Sequence, residues 1–134
     1  MVYIVGIILA LSVSVLATIV KLDRDRAFYP TLMIVIASYY GLFAVMSGSF
    51  QALIIESTII LVFLLLSIIG FKHNLWIVVA ALFAHSIFDF FHSYLITNPG
   101  IPQWWARFCL IYDIVAAAYL AWLLNSSKVV ATPR

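Results

Sequence analysis

Charge is what this chain has least of. Only 9% of its 134 residues are Asp, Glu, Lys or Arg, where a soluble domain carries about 25%. With 66% of residues hydrophobic and a mean hydropathy of +1.19, too little polar material remains to cover a water-soluble core of this size. Lipid is the solvent that fits. Cysteine is nearly absent: Cys109 is the single one, so no internal disulfide can form and cysteine usage says nothing of redox compartment. The net charge of +2 is too small to suggest a nucleic-acid partner and reads as membrane-topology signal. Glycine-rich phosphate loops, a G-x-S-x-G elbow and an H-E-x-x-H helix are all missing. Met1-Val2-Tyr3-Ile4 lacks a basic n-region, so the first apolar segment is expected to be retained rather than cleaved as a signal peptide.

What is present is apolar sequence in five runs, near 2–20, 28–46, 51–70, 74–97 and 104–124. Each approaches the roughly 20 residues needed to cross about 30 Å of hydrocarbon. The runs are continuous rather than alternating, which favours helices over barrel strands. The expected fold is an all-α bundle of five transmembrane helices in a single domain. The breaks have local causes. Lys21–Arg26 is the one dense charge run and reads as a solvated loop, while Pro30 suits a first helical turn. Ser47-Gly48-Ser49 and Gly70–Asn74 punctuate the middle, and Asn98-Pro99-Gly100-Ile101-Pro102 is the strongest turn signal. Trp104 and Trp105 follow it, as at a headgroup boundary. The tail from Asn125 is expected to fray.

Loop charges predict orientation. Lys21, Arg24, Arg26, Lys72, Lys128 and Arg134 fall on one side of five spans, and only Arg107 on the other. The positive-inside rule then places the N-terminus outside and the C-terminus in the cytoplasm.

Glu56, His85, Asp89, His92, Arg107 and Asp113 lie outside these basic loops, all between mid-membrane and the outer face. An Asp facing lipid costs about 2.5–3.5 kcal/mol at a helix centre, so such groups turn inward, pair or line a wet cavity. Spans three, four and five are therefore expected to converge on a polar pocket that opens outward. His85-x3-Asp89-x2-His92 places two imidazoles and a carboxylate on one helical stripe. These three residues are the candidate ligands of a divalent metal such as zinc, which takes imidazole and carboxylate. Asp113 and Glu56 are the candidate catalytic carboxylates, either of which could also close the ligand shell. The same set could relay protons, or serve only as interhelical hydrogen bonds, worth about 0.6 kcal/mol each on average in membranes. Arg107 is expected to snorkel to the interface or pair with Glu56, with phosphate binding as a further option. Cys109 reads as packing, and the polar, small Ser38–Gly41 stretch, including Tyr39 and Tyr40, reads as core packing or as donors to the polar cluster.

Taken together, Arg26–Tyr40, Glu56, the His85/Asp89/His92 spacing, Asn98-Pro99, Trp104-Trp105, Phe108-Cys109 and Asp113 resemble a group of small bacterial integral membrane proteins, domain-of-unknown-function family 6010. The resemblance runs from Arg26 onward. It implies a compact helical protein of the bacterial cytoplasmic membrane, with His85, Asp89, His92, Asp113 and Glu56 at the family's polar positions, and it implies no activity. A more distant analogy is to the alkaline ceramidase and adiponectin-receptor membrane zinc hydrolases, which also gather histidines and an aspartate inside the bilayer. Those proteins have more spans and draw their histidines from separate helices. The functions carried forward are a metal-binding hydrolase acting on a lipid or small amphiphile, a proton-coupled carrier or channel component, and a non-enzymatic scaffold. Membrane lipids are the expected partners, and a homo-oligomer is compatible with so few helices.

Overall fold

The computed structural model describes all residues from Met1 to Arg134. It is helical throughout: α1 (Val2–Ile19), α2 (Phe28–Met46), α3 (Phe50–Lys72), α4 (Trp76–Leu95) and α5 (Trp105–Asn125), with one short 3-10 turn at Leu22–Arg24. All five helices are long and apolar enough to cross a membrane. Their lengths of 18 to 23 residues correspond to about 27–35 Å. The chain is a multi-pass membrane protein, and the helix ends fall within two residues of the expected spans.

Local chemistry sets these ends. Ser49 caps α3 by accepting from the Ala52 N–H at 3.2 Å. Asn74 accepts from the Trp76 N–H at 3.0 Å before α4. Pro30 sits in the first turn of α2, where its missing N–H leaves nothing unsatisfied. At the α4–α5 turn, Gly100 lies against the Phe43 carbonyl, where a Cβ would collide with backbone. That close approach presses the turn onto α2.

α4 is the central helix, in contact with α2, α3 and α5, whereas α1 packs mainly along α5. The α1–α5 crossing is close because Gly6 faces Phe108 and Ile111. Elsewhere α1 presents Ile4, Ile8 and Leu16 outward, as a lipid-facing surface requires.

Successive helices alternate in direction, so the bundle has two unlike ends. One end, the basic end, carries the α1–α2 and α3–α4 connections and the tail. The other, the tryptophan end, carries the N-terminus, Ser47–Ser49 and the 96–104 connection. Near the basic end the core is apolar, with Met33, Val78, Leu82, Ala116, Leu120 and Leu123 buried. From mid-height toward the tryptophan end it is polar.

Two expectations fail at the basic end. The tail is tied down: Val129 is buried, and the Leu75 N–H donates to the Ala131 carbonyl at 2.9 Å. The Lys21–Arg26 run is not a freely solvated loop either. Asp23 is buried and accepts from the Thr18 hydroxyl at 2.5 Å, and Thr18 in turn meets the Tyr119 hydroxyl of α5 at 2.8 Å. Arg26 donates to the carbonyls of Val130, Ala131 (2.6 Å) and Phe71 (2.7 Å). One guanidinium thus stitches the first loop, the end of α3 and the tail together. Partial burial lowers its pKa, but a guanidinium stays charged in proteins.

Candidate functional site: a buried imidazole–carboxylate group

Three helices each bring acids or imidazoles to the polar half of the core, and a fourth brings a phenol. On α4, His85 is about 15 Å below the tryptophan-end terminus, Asp89 about 9 Å and His92 about 5 Å, from the helical rise. Glu56 comes from α3, Asp113 from α5 and Tyr40 from α2. All six side chains are buried. The expected convergence of spans three, four and five is what the fold contains, with α2 added.

The group has two lobes. In the deeper one, His85 Nδ1–H donates to Asp113 Oδ2 at 2.6 Å, and Asp89 Oδ2 stands 3.4 Å from the same nitrogen. Asp89 Oδ1 accepts from the Tyr40 hydroxyl at 2.5 Å. The candidate ligand atoms of His85, Asp89 and Asp113 all lie within 4.8 Å of one another. Phe63 closes the group below, packing edge-on to the His85 ring with centroids 4.8 Å apart. In the shallower lobe, His92 Nε2–H donates to Glu56 Oε1 at 2.7 Å. The Asn98 amide donates to that same oxygen and to the Tyr40 carbonyl, both at 3.0 Å. Tyr40 also stacks on the His92 ring, with centroids 4.3 Å apart and planes 15° from parallel, so it links the lobes.

The α4 stripe therefore feeds two groups and not one ligand set. His92 is committed to Glu56, and the third member of the deep group is Asp113. The partners explain the split: His85 turns to Asp113 of α5 and His92 to Glu56 of α3, on different neighbours of α4.

Counting donors and acceptors shows what the deep lobe needs. One N–H faces two carboxylates, since a 3.4 Å contact to an already engaged N–H does not satisfy Asp89 Oδ2. Asp89 Oδ2, Asp113 Oδ1 and the far nitrogen His85 Nε2 have no hydrogen-bond partner, and neither does Glu56 Oε2. Buried acceptors without donors cost about 1–3 kcal/mol each, more for charged groups. A cation would relieve this excess. His85 Nδ1 would have to release the proton it now shares with Asp113 for such a cation to bind there. One imidazole with two carboxylates is a donor set suited to zinc.

A polar cavity of about 530 Å³ opens at the tryptophan end between α1, α4, α5 and the 96–103 segment. Asp89 and His92 line it, as do Tyr3, Tyr94, Gln103 and Arg107, whereas Glu56 and Asp113 do not. Arg107 is exposed and takes part in no ion pair. The expected pairing with Glu56 is not made, because His92 and Asn98 already occupy Oε1. Cys109 is buried and borders an apolar cavity of about 690 Å³ between α1, α2 and α5.

Sequence reasoning missed one participant and ranked another low. Tyr40 read as packing before donor, and its place opposite Asp89 makes it a donor. Asn98 read as a turn former, yet its amide reaches back to α2 and α3. The signal available was its place beside Pro99 and Gly100, which marks a turn but not what the amide touches. No family model, curated protein or solved structure matches the chain.

Proposed function

We propose that the chain is a membrane metal hydrolase, holding one divalent cation such as zinc between His85, Asp89 and Asp113 and acting on a lipid or small amphiphile. The observation that carries this reading is the acceptor excess of the deep lobe: two buried carboxylates converge on one imidazole nitrogen, with polar atoms left unpartnered.

A cation bound there supplies Lewis acidity to a water and to a substrate carbonyl. The chain's own groups divide the remaining work. Asp113 and Asp89 would share the cation with His85, whose Nδ1 would release its proton on binding, and the Tyr40 hydroxyl fixes the Asp89 carboxylate. His92 lines the cavity, so the proton-transfer role moves to it from Glu56 and Asp113. Glu56 orients the ring through Nε2, which leaves Nδ1 as the nitrogen able to take a proton, and Asn98 holds Glu56. The Phe63 floor and the apolar core behind it keep water from passing through. In this reading the tryptophan end faces outward and the basic end the cytoplasm of a bacterial cell.

A second reading has its own support. Asp113, His85, Asp89 and Tyr40 form a linked chain of titratable groups, which suits proton carriage. Against it, Met33, Val78, Leu82 and Leu120 fill the core toward the basic end. Proton flux in liposomes that disappears in Asp89→Asn would favour this reading.

Metal analysis of purified protein tests the first reading. Wild type is expected to hold about one divalent ion per chain. His85→Ala and Asp113→Ala should lose it while keeping helicity and a single elution peak, and His92→Ala should keep it. Absence of metal from wild type after growth in zinc-supplemented medium would contradict the proposal.

A further inference from the structure

The cavity at the tryptophan end carries a cation that the hydrolase reading does not use. Its deep end reaches Asp89 and His92 of the buried group. Its lining includes Arg107, the only Lys or Arg of the tryptophan half, exposed and outside every ion pair of the chain. Every other Lys and Arg sits at the basic end. A cation in a cavity that leads to the buried group defines a ligand with an anionic head. A guanidinium offers a planar fork of N–H groups that matches phosphate or carboxylate oxygens in pairs. Phe90 and Tyr94, both lining the cavity, are 60% and 83% exposed, so the wall beside Arg107 is apolar and faces lipid.

We infer that this cavity receives the head of an anionic amphiphile, with Arg107 holding its phosphate or carboxylate oxygens. Arg107 is then the specificity-determining residue for the site. This assignment rests on the hydrolase reading for its consequence, since it names which amphiphiles reach the deep lobe. It rests on the cavity alone for binding. The anion could belong to a lipid headgroup or to a soluble phosphate ester, and both would use the same fork.

Binding of defined probes to the full-length protein in neutral detergent tests it, read by native mass spectrometry. The probes are a lysophosphatidic acid, the monoacylglycerol of the same chain length, and glycerol 3-phosphate. Wild type is expected to prefer the lysophosphatidic acid over the monoacylglycerol by about tenfold or more, the worth of a charge-assisted hydrogen bond. Arg107→Gln should remove that preference, and Arg107→Lys should keep part of it. Tighter binding of lysophosphatidic acid than of glycerol 3-phosphate assigns the anion to a lipid. Equal binding assigns it to a soluble ester still held by Arg107. Metal content, measured on the same samples, should not change in either Arg107 variant. His85→Ala should lose metal and keep the anion preference. If no sample holds metal while the preference and its dependence on Arg107 persist, the hydrolase reading falls and this assignment stands. A wild type indifferent to the phosphate, or an Arg107→Gln protein that keeps the preference, would overturn it.

Discussion

The two halves of this bundle solve the same packing problem with opposite chemistry. Toward the basic end the helices meet through Met33, Val78, Leu82 and Leu120, side chains with no polar atom to satisfy. Toward the tryptophan end they meet through Tyr40, Glu56, His85, Asp89, His92 and Asp113. The apolar half shows that this chain can join α2, α4 and α5 without buried acids or imidazoles on those helices. Burying three acids and two imidazoles in the other half is therefore not required for assembly. It costs desolvation that an apolar set of similar volume would avoid. Groups kept inside a membrane against that cost mark function, and here they lie next to the cavity that reaches the surface.

Substitutions can break this comparison. The largest effect is expected from Asp113→Ala, which leaves His85 buried without its acceptor; removing one partner of a buried pair costs about 3–5 kcal/mol. The double variant His85→Leu with Asp113→Leu should be milder than either single alanine change, because it removes both polar partners together. Thermal unfolding in a mild detergent reads both. A double variant less stable than the singles would mean that the polar pair itself holds the helices together, as the scaffold function requires.

Leu82→Ala probes the other half and should cost about 3 kcal/mol, within the range for a buried leucine cavity. It should leave metal content unchanged, and a loss of metal would show that the two halves are coupled. The smallest effect is expected from Tyr40→Phe, which removes one hydrogen bond to Asp89 and keeps the stacking on His92. A loss of about 1–2 kcal/mol in unfolding free energy would fit a buried acceptor deprived of its donor.

The five spans were legible because lipid leaves long continuous apolar runs, and their ends coincide with proline, glycine and capping residues. The depth of the acids and imidazoles followed from helical rise alone. Their pairing did not. His85 and His92 share a stripe, but which carboxylate each meets depends on how α3 and α5 are rotated against α4. No periodicity in these nearly uniform helices reports that rotation. Asp23 looked solvated because its partners are set by Thr18 and by Tyr119, a residue nearly a hundred positions away in sequence. Asn98 was hidden and Tyr40 ranked low for the same reason: their roles belong to contacts between elements and not to any local motif.

The measurement closest to the central claim is X-ray absorption at the zinc edge on zinc-loaded protein. One imidazole nitrogen with oxygen donors at about 2.0–2.2 Å, and no sulfur, is the predicted shell. Scattering from two imidazoles would mean that His85 and His92 share the ion, and a sulfur shell near 2.3 Å would point to Cys109. Either result would contradict the grouping of His85, Asp89 and Asp113 as the cation site.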